Sequence, residues 1–217
     1  MTLSAYFAAA AEHQQLAWMN DTILEVLVDS AVSDGQVLIM RSATTRGNAV
    51  PVHVHQGEDE IFLLVNGALT VWAGDQRREL SDGGVAFLPK GIPHTYFVTS
   101  QSAVILEVIA PGGLERAFRE AGWDLHTPAP EGWACTPDAV ATAMAKLGCT
   151  ILGPPPGSAG DNPIPTQTAA NCCLMRPPVG FSAVSSVPFS RSCHWFRRGH
   201  TGHWLEVTTS QDAATWT

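Results

Sequence analysis

Between Thr22 and Ala110 the chain repeats one pattern: a short apolar run, then a turn rich in Gly, Pro, Asn or Asp. The runs fall at 22–28, 35–43, 49–55, 60–65, 68–74, 84–89, 94–99 and 102–110. Short runs in close succession, with no long helical segment between them, fit an antiparallel sandwich or barrel. The 19 Gly and 15 Pro supply the turns. Asn66-Gly67, between two of the runs, is a strong hairpin signal.

The flanks read differently. Residues 3–16 carry Leu3, Tyr6, Phe7 and Leu16 at spacings that suit a short helix. After Pro111-Gly112-Gly113, helical spacing resumes over 114–122. A second helix is expected over 136–148, with Thr136 as its cap, Pro137 at its first position and Gly148 as its stop. From about Gly153 the pattern dissolves into Pro, Ser, Thr and Gly. The expected organisation is an N-terminal helix or arm over 1–17, a barrel over 18–112, C-terminal helices over 113–152 and a disordered tail over 153–217.

With 217 residues there is room for one sizeable domain and an appendage. A formal charge of -8 argues against nucleic acid or an anionic membrane surface as partner, since both need a basic patch. No apolar run approaches the ~20 residues of a membrane span. The first residues lack a basic leader, so a cytoplasmic location is expected. Five cysteines, an odd number with no CxxC, argue against a disulfide framework.

The chemistry concentrates in "GNAVPVHVHQGEDEIFLLVNG", residues 47–67. Side chains alternate across a strand, so His53 and His55 share a face. If that face is interior, both imidazoles need partners, and one divalent metal can satisfy both. Glu60 opens the next run and can bring its carboxylate to the same point. His94, after the turn Pro89-Lys90-Gly91, supplies a third imidazole. Three nitrogens and an oxygen suit Fe, Mn, Co, Ni, Cu or Zn. The competing explanation is a set of histidines hydrogen-bonded inside a metal-free barrel.

These spacings resemble the two motifs of the cupin superfamily, G-x5-HxH-x3,4-E-x6-G and G-x5-PxG-x2-H-x3-N. Here the first reads Gly47, His53, His55, Glu60 and Gly67, and the second reads Gly83, Pro89, Gly91 and His94. Val98 replaces the closing Asn, which removes no ligand. The stretch "APGGLERAFREAG" is similar to that of the bacterial single-domain group labelled quercetin 2,3-dioxygenase-like. The resemblance covers roughly residues 18–112. It implies an all-β fold, a double-stranded β-helix or jelly-roll barrel, with C-terminal helices and an irregular tail.

It also implies one divalent transition metal held by His53, His55, Glu60 and His94. The implied activity is dioxygenase cleavage of a flavonol-like or other enolizable aromatic compound with O2, and Glu60 would accept the hydroxyl proton. Phe62 shares the parity of Glu60 and is the first candidate for a substrate wall; Met40, Trp72, Phe87 and Tyr96 are further candidates. All five also suit plain core. Two alternatives stand beside this reading. One is a non-oxidative cupin, such as a polyketide cyclase or isomerase of secondary metabolism; the other is a non-catalytic small-molecule-binding cupin. Relatives pair through barrel faces, and the 22–28 run needs a neighbour beyond a minimal barrel, so a homodimer is expected. The segment "CHWFRRGHTGHW", with Cys193, His194, His200 and His203, resembles a metal cluster in composition only.

Overall fold

A computed structural model of the chain describes residues 4–161, 163 and 164, together with the backbone of 194–198 and 204–208. The elements up to residue 153 are β1 (Gln14–Ala17), β2 (Ile23–Val28), α1 (Ser30–Ser33), β3 (Leu38–Thr45), β4 (Val52–His55), β5 (Asp59–Asn66), β6 (Ala68–Ala73), β7 (Gln76–Ser81), β8 (Val85–Leu88), β9 (His94–Val98), β10 (Ser102–Ala110), α2 (Glu115–Ala121), β11 (Trp123–Asp124), α3 (Pro137–Ala145) and β12 (Cys149–Gly153). By itself, β13 (His194–Arg198) forms an antiparallel pair with β14 (Trp204–Thr208).

Two antiparallel sheets make the barrel. One runs β11-β1-β2-β3-β10-β5-β8 and the other β12-β4-β9-β6-β7. This is the antiparallel barrel expected from the apolar runs, and the all-β, double-stranded β-helix that the motif resemblance implies. Alternation sets the inside. Leu38, Met40, Ser42 and Thr44 of β3 are buried, as are Ala103, Ile105, Glu107 and Ile109 of β10. Two apolar clusters result. One gathers Leu16, Leu24 and Met40 with Leu114, Phe118, Val140 and Met144. The other gathers Phe62, Leu64, Leu69, Val98 and Ile105. Fully burying each such side chain contributes about 1.5–3 kcal/mol.

Four expectations need correction. The helix over 3–16 is absent: a 3-10 turn at Ala10–Glu12 leads into β1. A short helix is marginal without packing, whereas β1 pairs with β2 and β11 and buries Leu16. The neighbours of β2 are β1 and β3 of the same chain, so the need that suggested a crossing partner is met internally. Asn66-Gly67 does not close a hairpin, because β5 and β6 lie in different sheets. Finally, the chain beyond Gly153 stays on the barrel as far as it is described. Ile164 is buried with Val52 and Trp72, and the Ala159 carbonyl accepts hydrogen bonds from Arg77. Farther along the expected disordered tail, β13 and β14 form a strand pair instead, and the remaining residues of the tail lie outside the described ones.

The expected helices are present as α2 and α3. Thr136 Oγ1 accepts from the Ala139 N–H, and Pro137 opens α3. After α3 the chain returns as β12 and pairs with β4, Cys149 opposite His55.

Candidate metal centre

His53 and His55 stand on β4, Glu60 near the start of β5 and His94 at the start of β9. In the register of β4 against β9, His53 lies directly opposite His94. Glu60 comes from the facing sheet. One ligand atom from each of the four residues falls within 4.8 Å of the others. His55, Glu60 and His94 are buried.

Local backbone orients two of the rings. The Nδ1–H of His53 donates to the Pro51 carbonyl at 2.8 Å, and the Nδ1–H of His94 donates to the Ile92 carbonyl at 2.9 Å. A carbonyl only accepts, so each Nδ1 carries a proton, and in the neutral ring each Nε2 presents a lone pair. In that neutral form His94 Nε2 faces Glu60 Oε2 at 3.0 Å, acceptor against acceptor, whereas a second proton on the ring lets it donate to that oxygen. A shared proton or cation resolves that opposition. His55 Nε2 is 3.6 Å from the same oxygen. Neither His55 nitrogen has a hydrogen-bond partner, and one buried oxygen of Glu58, 3.8 Å from His55 Nδ1, lacks one too. Orphaned buried nitrogens around an ionised oxygen fit a divalent cation bound by a mixed N/O set.

The electrostatics agree. Burial, reinforced by neighbouring His94, pushes His53 down to about 3 and keeps it neutral. Burial would raise Glu60, but the His55 and His94 rings outweigh it and hold the carboxyl well below the usual carboxylate range. A neutral imidazole and an ionised carboxylate are the ligating forms. For His55, burial pulls down while Cys149 and Glu60 pull up more strongly, to about 10. Without a metal, a proton on His55 supplies the missing positive charge.

The cluster opens into a cavity of about 90 Å³ between the two apolar clusters. Phe62 and Tyr96 line it as expected, their rings edge to face at 5.6 Å. The other three candidates do not. Met40 is buried outside the lining, in the cluster around α2 and α3. Trp72 pairs with Thr95, and its face of β6 packs on Val52 and Ile164. Phe87 pairs with Ile61, one residue out of step with Glu60 and Phe62, and is 60% exposed. Among the lining residues that the reading of the strands did not name, four bear most on the chemistry. Leu114, Val140 and Met144 enter from the C-terminal segment, and Glu107 enters from β10. Only Glu107 left a sequence signal: it is the single charged residue in the inward series Ala103, Ile105, Glu107, Ile109. The Cys/His-rich segment at 193–203 lies outside the residues whose side chains are described.

Residues 43–110 match the family described as "Cupin domain". Over 102 residues the chain is 26% identical to a quercetin 2,3-dioxygenase of Bacillus subtilis (strain 168), which covers 47% of this chain and 30% of that protein. It is 32% identical over 59 residues to an uncharacterized protein of Aquifex aeolicus (strain VF5), covering 27% of this chain and 49% of the other. The chain thus spans less than half the length of each of these two relatives. Among solved structures, KdgF from a Halomonas species superposes with a TM-score of 0.47 at 18% identity, over 51% of this chain and 96% of that one. No helix among the described residues is long and apolar enough to cross a membrane.

Proposed function

We propose, from the premise that residues 43–110 are a cupin domain, that this protein is a metal-dependent dioxygenase cleaving an enolizable aromatic compound with O2. The observation that carries the proposal is the convergence of three imidazoles and one carboxylate within 4.8 Å at the end of an apolar cavity. His53, His55, Glu60 and His94 would hold one divalent transition metal. Such a metal supplies Lewis acidity when bound and makes an enol easier to ionise. Glu60, kept ionised, takes the hydroxyl proton of the substrate on its carboxylate oxygen. The carbonyls of Pro51 and Ile92 fix His53 and His94, so the ring positions are set before substrate arrives. Phe62, Leu114 and Met144 exclude water and give a flat ring an apolar seat.

The cavity volume selects within the class. Pockets for drug-sized molecules run to roughly 300–1,000 Å³. At about 90 Å³, the cavity favours a one-ring enol over a three-ring flavonol. The same base and Lewis acid also suffice for cyclisation or isomerisation without O2, and Glu60 needs no oxidant to move a proton.

The test is O2 uptake by metal-loaded protein across small aromatic enols, diketones and flavonols, with anaerobic controls. Uptake with a small enol is expected. In His94→Ala, metal affinity is expected to fall by more than the ~10–100-fold that loss of a supporting residue costs. Turnover that persists without O2 would assign the non-oxidative reaction. Ligand-dependent stabilisation with no product at all would leave a binding protein.

A further inference from the structure

We propose that Glu107 is a second anchor in the cavity, a specificity-determining residue whose carboxyl hydrogen-bonds a hydroxyl of the bound molecule on the face it shares with the four-residue cluster. The inference rests on the metal-centre reading above and adds a feature of the substrate to it.

Glu107 is 7% exposed and lines the cavity. The inward residues on either side of it in β10, Ile105 and Ile109, are fully buried and apolar. One contact holds it in place: the Ser42 hydroxyl donates to Oε1 at 2.6 Å. Among the described residues no Lys or Arg pairs with it, and no second hydrogen bond reaches its carboxyl. Burying a carboxyl is unfavourable unless its hydrogen-bonding capacity is used. One neutral hydroxyl uses part of that capacity, and the cavity is where the remainder is available.

The register fixes the face that this group shares with the cluster. Across β5 and β10, Glu107 pairs with Phe62 and Ile109 pairs with Glu60. Glu60 and Glu107 are therefore diagonal neighbours on one face, their backbone positions about 7–8 Å apart. A compact one-ring molecule with two oxygen substituents can address both groups from the cavity they line. Its enol oxygen sits at Glu60 and the histidines, its far hydroxyl meets Glu107, and its face lies against Phe62. The substrate class is a one-ring enol bearing a second hydroxyl across the ring.

A matched pair of hydroxypyranones tests this. Kojic acid and allomaltol share the enol–ketone end and differ across the ring in a hydroxymethyl against a methyl group. Zinc uptake is measured first, and then each pyranone is titrated into zinc-loaded protein. Kojic acid is expected to bind about tenfold more tightly to the wild type, the scale of one buried hydrogen bond. Glu107→Leu is expected to erase the preference, bringing the ratio of the two affinities to about one while zinc is still taken up. The double variant Ser42→Ala/Glu107→Leu replaces both partners by apolar groups and gives the same result if the single variant folds poorly. Equal binding of the two pyranones by the wild type, or a preference that survives both substitutions, overturns the proposal. Failure to take up zinc overturns the metal-centre reading itself, and this inference with it.

Discussion

Burial, with the charge of Glu60 nearby, pushes Glu107 up from 4.5 to about 7, so near neutral pH it is divided between its two forms. An unfolded chain would keep the group near its ordinary value. Between the two values the folded protein holds a proton that the unfolded chain has released. Stability therefore falls as pH rises through that window, and the loss is complete above about 7. Relative to Glu107→Gln, which does not ionise, metal-free wild-type protein should lose about 3 kcal/mol between pH ~4.5 and pH ~8. Urea denaturation of both proteins across that range checks it, and parallel profiles would refute it. The residue scale is also where sequence was most and least informative. His53 and His55 betray a shared face through their spacing alone. Glu107 obeys the same parity, but a lone charge in an apolar strand reads as one more solvent-facing residue. Phe87 misleads for another reason. Its side depends on pairing with Ile61, and register between distant strands is not written in either strand.

At the scale of elements, Gly67 shows what local signals leave open. Asn-Gly announces a reversal, and the chain does reverse, but from one sheet into the other. Gly67 holds φ at +104°, and a Cβ there would come within 2.4 Å of the Ser102 carbonyl oxygen. Gly67→Ala is expected to destabilise the fold by about 2–3 kcal/mol, read from the urea midpoint. A variant as stable as the wild type would mean that the corner can relax. Strand β7 escaped the sequence reading because an exposed edge strand needs no apolar face: Gln76, Arg77, Arg78 and Glu79 are all exposed. Strand β1 escaped because pairing and the burial of Leu16 override an Ala-rich stretch that favours helix. Thr136, Pro137 and Gly148 were legible because caps act within a few residues of themselves.

For the whole molecule, the outer face of the larger sheet carries an apolar strip on β5 and β8. Ile61, Leu63, Val85 and Phe87 alternate with the inward residues of β5 and β8, and Val85 and Phe87 are more than half exposed. We propose that a homodimer, if formed as the family resemblance implies, uses this strip, with a second copy of the chain as its occupant. Light scattering should give twice the chain mass for the wild type and the single-chain mass for Phe87→Glu. A wild-type mass of one chain would dismiss the pairing. Order of synthesis bears on the interior as well. The strand that bears His53 and His55 lies between β9 and β12, and β12 comprises residues 149–153. All four candidate ligands leave the ribosome more than fifty residues before that last neighbour does. A nascent chain thus holds every donor while β4 is still a bare edge, and a message ending before Cys149 would encode the complete ligand set without the strand that finishes its wall.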